Sequence, residues 1–485
     1  METDPGPVYH AELAVIGSSH SVAGAGASAT AMGSMQLATD VLIEVGNGKI
    51  VSIEPRAGEV PKAAVRLRGL TIPGLVNTHS HAFQRVLRGW AEPRGAEGAT
   101  DFWDWRDRMY VIANLLDPDQ YRRLAVAVYA EMMLAGITTV GEFHYLHHGP
   151  GGGPYDDANA MGSALTEAAH RVGIRMTLLD TCYLQANITG AGLSAPQLRF
   201  GDGDVDRWIE RAADLVSTLR DSPGVQVGVA AHSVRAVSRR DLVAIAGFAA
   251  QAKLPLHVHL SEQRSENERC LAVTGQTPTA LLASSGFFTC QTTAIHATHL
   301  TRDDILALGG AGVHICACPT TERDLGDGIG PYGELADAGA TLCVGSDSQV
   351  VIDMLEEARG IELHERLASA RRGRHSTTGL FAAATSGGAR ALGHDVGELR
   401  AGKLADFVTL DVDTPRLAGG DDTDVLARVV FGATAGDVRH VVVGGDQKVI
   451  DGVHVDLGGP RAVSRMLEEA IGPLLRDASA RSSAL

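Results

Sequence analysis

The nine residues PGLVNTHSH, numbered 73–81, pass from a Pro-Gly turn through a short apolar segment into two histidines. Residues two apart in a β-strand project from the same face, so His79 and His81 converge as two imidazoles on one divalent cation require. A lone His-x-His is a weak signal, because paired surface histidines are common. At the end of an apolar run that follows Pro-Gly, the pair becomes a more specific signal and favours a metal site at a strand end.

The same unit recurs along the chain: a short apolar run rich in β-branched residues ends in polar side chains, and a helix-like stretch follows. The runs are 75–81, 137–144, 174–183, 225–232, 256–262, 293–298, 313–318 and 341–347. Amphipathic helices are predicted at 121–134, 158–172, 205–219 and 242–251. Continuous hydrophobicity within the runs is typical of parallel strands that are buried on both faces.

Eight alternations predict an α/β fold of the (β/α)8 TIM-barrel type. A doubly wound open sheet uses the same alternation, so the count alone leaves both folds open. The position of the polar residues favours the barrel, because a barrel collects functional groups at the carboxyl ends of several strands. The residues at these ends are His79, His81, His144, His232, His259, Glu262, His296 and Asp347.

The flanking segments predict a small β-sandwich domain built from both termini. Residues 41–53 form a predicted hairpin around Asn47-Gly48, and 406–410 and 441–449 are predicted short strands. The predicted domains are 1–72, the barrel 73–394, and 395–485 with a surface helix at 461–475 and a frayed end from 476. Within the first domain, residues 17–36 are interpreted as a low-complexity loop.

Composition excludes several classes of protein. The 485 residues include 42 Lys and Arg against 58 Asp and Glu, a net charge of −16, which argues against nucleic acid and anionic membranes as partners. No apolar run of about 18 residues predicts a membrane span. The first residues lack the basic start and apolar stretch of a secretion signal, so we expect a cytoplasmic protein. Six cysteines are too few for a disulfide framework.

Together with the His-x-His pair, His259, His296 and Asp347 complete a set of strand-end groups that resembles the amidohydrolase superfamily, in its branch of mononuclear metal-dependent deaminases. The segment GELRAGKLAD, residues 397–406, is similar to that superfamily's return into its β-sandwich. Several stretches are most similar to the family of N-formimino-L-glutamate deiminases. They are NTHSHAFQR (77–85), DFWDWR (101–106), GEFHY (141–145), AHSVRAV (231–237) and TERDLGDG (321–328).

The resemblance implies one divalent metal ion per chain, held by His79, His81, His259 and Asp347. Zinc is the first expectation for this mixed nitrogen and oxygen set, and iron or manganese can occupy the same ligands. His257 shares the strand face of His259, but His259 is preferred because Glu262 reproduces the family's His-x-x-Glu. Binuclear relatives bridge their two metals with a carboxylated lysine on a barrel strand. None of the apolar runs has a lysine near its carboxyl end, which favours one metal over two.

The resemblance also implies that His296, Asp347 and Glu262 transfer protons around an attacking water. The expected substrate, N-formimino-L-glutamate, carries two carboxylates, which suit the planar fork of arginine. By resemblance, Arg106 and Arg235 receive them, while Gln84, Tyr145 and His232 complete the lining. Arg106 is expected in the long loop after the first strand, with the nearby Arg108 as the alternative.

The expected reaction yields N-formyl-L-glutamate and ammonia in histidine degradation, by a homodimer that takes only a small-molecule partner. Two rivals stay open. One is another hydrolase of the branch, acting on a guanine-like or triazine ring, or an imidazolonepropionase. A ring substrate favours stacking aromatic residues over cations, and the arginines favour the diacid. The other is a non-catalytic scaffold, which should have lost ligands, and none is missing.

Overall fold

The computed structural model describes residues 6–17, 35–92 and 101–482. These residues form sixteen β-strands, which are β1 Val8–Gly17, β2 Met35–Gly46, β3 Lys49–Glu54, β4 Val65–Pro73, β5 Leu75–Ser80, β6 Ile137–His144, β7 Arg175–Cys182, β8 Val225–Ala231, β9 Leu256–Leu260, β10 Thr292–His296, β11 His314–Ala317, β12 Thr341–Val344, β13 Phe407–Leu410, β14 Val438–Val443, β15 Asp446–Ile450 and β16 Val453–His454.

The α-helices of the same residues alternate with the strands through the middle of the chain. They are α1 Phe102–Ala113, α2 Pro118–Leu134, α3 Ala160–Val172, α4 Val205–Leu219, α5 Arg239–Ala252, α6 Arg264–Thr274, α7 Pro278–Ser284, α8 Arg302–Gly310, α9 Pro319–Asp324, α10 Tyr332–Asp337, α11 Met354–Ser369, α12 Thr377–Ala382, α13 Gly388–Leu392, α14 Val425–Gly432 and α15 Pro460–Ser482. Among them, none combines the length and the apolarity that a membrane span requires.

Strands β5 to β12 form a parallel barrel in which each strand pairs with the next along the chain. A bridge between Ser80 and Asp347 joins the end of β5 to the residues after β12. There the Asp347 amide donates to the His79 carbonyl at 2.9 Å, and the His81 amide donates to the Asp347 carbonyl at 3.1 Å. The predicted (β/α)8 barrel is therefore confirmed against the open sheet. Seven of its strands lie within the predicted runs, and β10 begins one residue before its run.

The second sheet takes strands from both ends of the described chain, in the order β16-β15-β14-β13-β4-β1-β2-β3. Strand β4 lies at its centre, parallel to β1 and antiparallel to β13. It leads through Gly74 straight into β5. A Cβ on Gly74 would lie 2.1 Å from the Thr138 hydroxyl oxygen, so only glycine permits this close approach. The predicted second β unit built from both termini is confirmed.

Two predictions about the C-terminal part were wrong. Residues 441–449 do not form one strand, because Gly444 and Gly445, both at positive φ, turn the chain between β14 and β15. The expected fraying from residue 476 is not seen over 476–482, since α15 continues to Ser482 and buries Leu474 and Ala478, and residues 483–485 lie outside the described residues. Of the low-complexity segment 17–36, residues 18–34 lie outside the described residues.

Candidate active site

Four side chains from three strand ends meet at the top of the barrel. His79 and His81 come from β5 and the residue after it, His259 from β9, and Asp347 follows β12. One ligand atom of each lies within 4.8 Å of those of the other three, and all four residues are buried. The Nε2 atom of His79 is 3.1 Å from Nε2 of His259 and 3.2 Å from Oδ1 of Asp347. His257, the alternative to His259, lies outside this cluster and contacts the Ala391 carbonyl through Nε2.

The protonation states of the histidines in this cluster suit the binding of a cation. Nδ1 of His81 lies 2.9 Å from the Phe143 carbonyl, and Nδ1 of His259 lies 2.9 Å from the His232 carbonyl. A carbonyl only accepts hydrogen bonds, so both imidazoles donate from Nδ1 and turn an Nε2 lone pair towards the centre. Burial lowers the pKa of His81 to about 3 and also lowers the pKa of His259. Neutral imidazoles beside a carboxylate are the donor set that a divalent metal ion takes.

Backbone strain accompanies these positions. Asp347 has φ +44°, Ser261 +51°, His296 +67° and Ala297 +52°, all in the left-handed region that non-glycine residues seldom adopt. Such conformations cost of order 1–3 kcal/mol each and persist only where the surroundings fix them. Their clustering at the rim of one barrel end marks this end as functional.

The predicted proton-transfer groups lie next to the cluster. Nε2 of His296 is 3.8 Å from Oε1 of Glu262 and 3.8 Å from Oδ2 of Asp347. Burial alone would lower the pKa of His296, but Glu262, Glu322 and Asp347 outweigh it and raise that pKa to about 10. Burial raises the pKa of Glu262. The pKa of Asp347 is lowered, because its contacts with the histidines outweigh its burial. Two carboxyl groups whose pKa values are shifted in opposite directions, beside one imidazole, are the arrangement that acid-base catalysis uses.

All five predicted substrate residues line one pocket with His81, His259, Glu262, His296 and Asp347; the five are Gln84, Arg106, Tyr145, His232 and Arg235. The Gln84 amide nitrogen donates to the Tyr145 hydroxyl at 3.2 Å, so these two polar groups share one wall.

Arg106 lies on helix α1, so its expected position in a loop was wrong. Its guanidinium packs over the rings of Trp103, at 4.6 Å, and Tyr110, at 5.3 Å, inside the pocket. Arg108 instead donates to the Trp90 carbonyl at 2.9 Å and does not line this pocket. Of the two arginines, Arg106 is therefore the one whose position suits a bound anion.

Arg235 has carboxylate partners that the sequence did not reveal. Its Nε atom lies 3.1 Å from Oε2 of Glu266, a fully buried side chain on α6, and its Nη2 atom lies 3.5 Å from Oε2 of Glu262. Glu266 was missed, although an acidic residue four positions beyond Glu262 was a visible signal. The partly buried guanidinium of Arg235 thus already has two carboxyl partners before any substrate binds.

Comparison with known proteins places the chain. Residues 70–448 match the model of the amidohydrolase family. The chain belongs to that family. A formimidoylglutamate deiminase of Pseudomonas aeruginosa is 35% identical over 449 residues, covering 90% of this chain and 96% of that protein. An 8-oxoguanine deaminase of the same organism is 32% identical over 391 residues, covering 79% of this chain and 83% of that protein.

The fold comparison agrees. The crystal structure of an amidohydrolase from Brucella melitensis matches with a TM-score of 0.85 and 34% identity, over 97% of this chain and 100% of that one. The resemblance to the amidohydrolase superfamily is therefore confirmed, and the chain is a hydrolase of that superfamily's deaminase group. Both curated relatives are deaminases in the broad sense, and they differ in substrate.

Proposed function

We propose that the protein hydrolyses N-formimino-L-glutamate to N-formyl-L-glutamate and ammonia. The observation that carries the proposal is that Arg106 and Arg235 line the same pocket as His81, His259 and Asp347 of the four-residue cluster. A substrate with two carboxylates must lose water from both when it enters, and each arginine offsets part of that cost. The Pseudomonas relative that carries this activity in its name supports the proposal.

His79, His81, His259 and Asp347 would hold one divalent cation, for which zinc is our first candidate. When bound, such an ion acts as a Lewis acid and lowers the pKa of a water molecule from about 15.7 towards neutrality. The backbone carbonyls of Phe143 and His232 fix two of the imidazole rings through Nδ1, so the ligand atoms are already in place.

The other groups of the site handle protons. Hydrolysis of the amidine takes up one water and releases ammonia, so both protons of the attacking water must reach the departing nitrogen. The first of them leaves the water as it attacks. Nε2 of His296 lies between carboxylate oxygens of Asp347 and Glu262, which gives that proton a path from one carboxylate to the other. Glu262, whose pKa burial raises, can hold the proton that the imino nitrogen takes.

Binding of the substrate would also release Glu262. In the ligand-free pocket the contact of Arg235 with Glu262, at 3.5 Å, is longer than its contact with Glu266, at 3.1 Å. A substrate carboxylate at Arg235 displaces the weaker of the two partners. Glu262 then turns to the formimino nitrogen while Glu266 keeps the guanidinium in place.

A ring substrate is the second candidate, because aromatic side chains also line the pocket. They are Phe102, Trp103, Trp105, Tyr110, Tyr145, Tyr183 and Phe200. Such residues stack on heterocycles, and the 8-oxoguanine deaminase is a relative. Ammonia release from N-formimino-L-glutamate, N-formimino-L-aspartate and 8-oxoguanine separates the candidates. Preference for the glutamate derivative supports our proposal, and preference for the purine replaces it. The homodimer and the cytoplasmic location stay predictions.

A further inference from the structure

A third acidic residue, Glu322, lies behind His296 on the side away from the pocket. It is on helix α9 and is 1% exposed. One of its oxygens, Oε1, accepts hydrogen bonds from the Tyr332 hydroxyl at 2.7 Å and from the Cys318 amide at 2.9 Å. The same oxygen lies 3.4 Å from Nδ1 of His296. The stretch 321–328 contains this residue, and the catalytic scheme above gives it no role.

The backbone does not favour the position of His296. This residue and Ala297 both have positive φ, at +67° and +52°. Left-handed conformations in non-glycine residues are costly and are kept only by contacts around them. The Nε2 side of the ring faces Glu262 and Asp347 at 3.8 Å each, too long for direct hydrogen bonds. The contact between Nδ1 and Glu322 is thus the shortest side-chain polar contact that orients the ring.

We propose that Glu322 is a positioning residue, which holds Nδ1 of His296 so that Nε2 faces the pocket between Glu262 and Asp347. This inference rests on the proposed hydrolytic role of His296. Oε1 of Glu322 is itself held by hydrogen bonds from the Tyr332 hydroxyl and the Cys318 amide. Tyr332 therefore fixes the position of Glu322, and Glu322 fixes the ring of His296. A carboxylate acceptor makes this hydrogen bond charge-assisted, which is roughly twice as strong as a neutral one.

Two variants at position 322 distinguish the effect of the acceptor's charge from the effect of having an acceptor at all. Glu322→Gln keeps a carbonyl oxygen for the three donors but removes the charge, and Glu322→Leu removes the acceptor. We expect kcat to fall about 5- to 10-fold in the first and about 50-fold or more in the second, since acid-base groups contribute about 10²–10⁴-fold. KM and metal content should stay within about twofold of wild type, because neither variant touches a proposed ligand or substrate residue. Tyr332→Phe should lower kcat by a smaller factor.

Glu357 supplies the matched control. It is a fully buried carboxyl group on α11 that accepts hydrogen bonds from the amide and the hydroxyl of Thr320, a residue of the same helix α9. Glu357→Gln should change the free energy of unfolding as much as Glu322→Gln does, and should leave kcat within about twofold. If Glu322→Gln behaves like this control, or loses kcat only in proportion to lost metal or lost fold, Glu322 has a merely structural role and the proposal fails.

A double-mutant cycle with His296→Asn completes the test. If Glu322 acts through His296, adding Glu322→Gln to His296→Asn should lower kcat no further, whereas independent effects would multiply. The cycle can be measured with any compound that the wild-type enzyme deaminates. Its result therefore stays valid even if N-formimino-L-glutamate is not a substrate.

An NMR measurement needs no substrate. The proposal predicts a downfield imidazole proton on Nδ1 that is present in wild type, weakened in Glu322→Gln and absent in both His296→Asn and Glu322→Leu. An unchanged signal in Glu322→Leu would overturn the proposal even if kcat had fallen.

Discussion

Replacing Arg106 with methionine tests the diacid pocket with the least damage to the rest of the structure. The side chain of Arg106 is 29% exposed, and its ion-pair partner Asp107 is 71% exposed, at 3.3 Å. Exposed ion pairs contribute about 0–1 kcal/mol, and cation–π contacts such as those with Trp103 and Tyr110 about 0.5–1 kcal/mol each. Methionine retains much of the apolar contact, so Arg106→Met should stay folded.

The effect on catalysis should be larger than the effect on stability. A hydrogen bond to a charged group contributes about 1.5–3 kcal/mol, which corresponds to a loss of roughly 10- to 150-fold in kcat/KM. Arg235→Met is a poorer test, because it also removes the cation that contacts the buried Glu266, a change that destabilises by about 3–5 kcal/mol. A loss of activity in that variant would mix folding with binding.

Arg108→Met is the matched control, because Arg108 is on the same helix and contacts Trp90 away from the pocket. The assay is ammonia release from N-formimino-L-glutamate at several concentrations, with metal content and thermal unfolding measured on the same samples. A loss of less than about threefold in Arg106→Met, or an equal loss in Arg108→Met, would refute the placement of a substrate carboxylate at Arg106.

Three further predictions concern the metal, the acid-base groups and pH. His259→Ala should lose the bound metal and His257→Ala should keep it, as metal analysis of purified variants will show; the reverse result would mean that the wrong histidine was chosen. Glu262→Gln should keep its metal and lose about a hundredfold or more in kcat, and a normal rate in a metal-loaded sample would remove Glu262 from the mechanism. Burial raises the pKa of Glu142 to about 8, so the folded state keeps a proton that the unfolded chain loses above its usual pKa of 4.5. The free energy of unfolding of wild type, taken relative to that of Glu142→Gln, should therefore fall as pH rises from about 5 to about 8, by up to about 1.4 kcal/mol per pH unit. If urea unfolding gave wild type and variant the same pH dependence of the free energy of unfolding across this range, the raised pKa of Glu142 would be contradicted.

The sequence predicted the barrel and its metal-type cluster because both depend on local patterns. Strands such as β6, buried along its whole length, appear as uninterrupted apolar runs, and a parallel barrel brings their carboxyl ends together. His79 and His259 could therefore be placed at one rim without knowing any contact. The preference for His259 over His257 followed from Glu262 by resemblance. In the structure His259 lies in the cluster with His79, whereas His257 contacts the Ala391 carbonyl.

The sequence did not predict contacts that depend on how distant segments pack. Helix α1 was expected to be loop, although Asp101 and Asp104 form a capping box at its start that the residue spacing already showed. The pairing of Arg235 with Glu266 joins the residues after β8 to helix α6, and the contact of Glu322 with His296 joins α9 to β10. Side-chain pairs of this kind are set by tertiary geometry, which no periodicity along the chain records.

Above all, we propose that this site deaminates a small diacid with one divalent metal ion. The most direct test is kcat/KM for N-formimino-L-glutamate and for 8-oxoguanine, measured on protein that is metal-free and on protein loaded with one equivalent of zinc. We predict negligible turnover without metal, full activity at one equivalent, and a kcat/KM for N-formimino-L-glutamate at least about a hundredfold above that for the purine. This is the ratio expected if the two arginines together contribute about 3 kcal/mol. A higher kcat/KM for 8-oxoguanine, or activity that rises until two equivalents are bound, would contradict it.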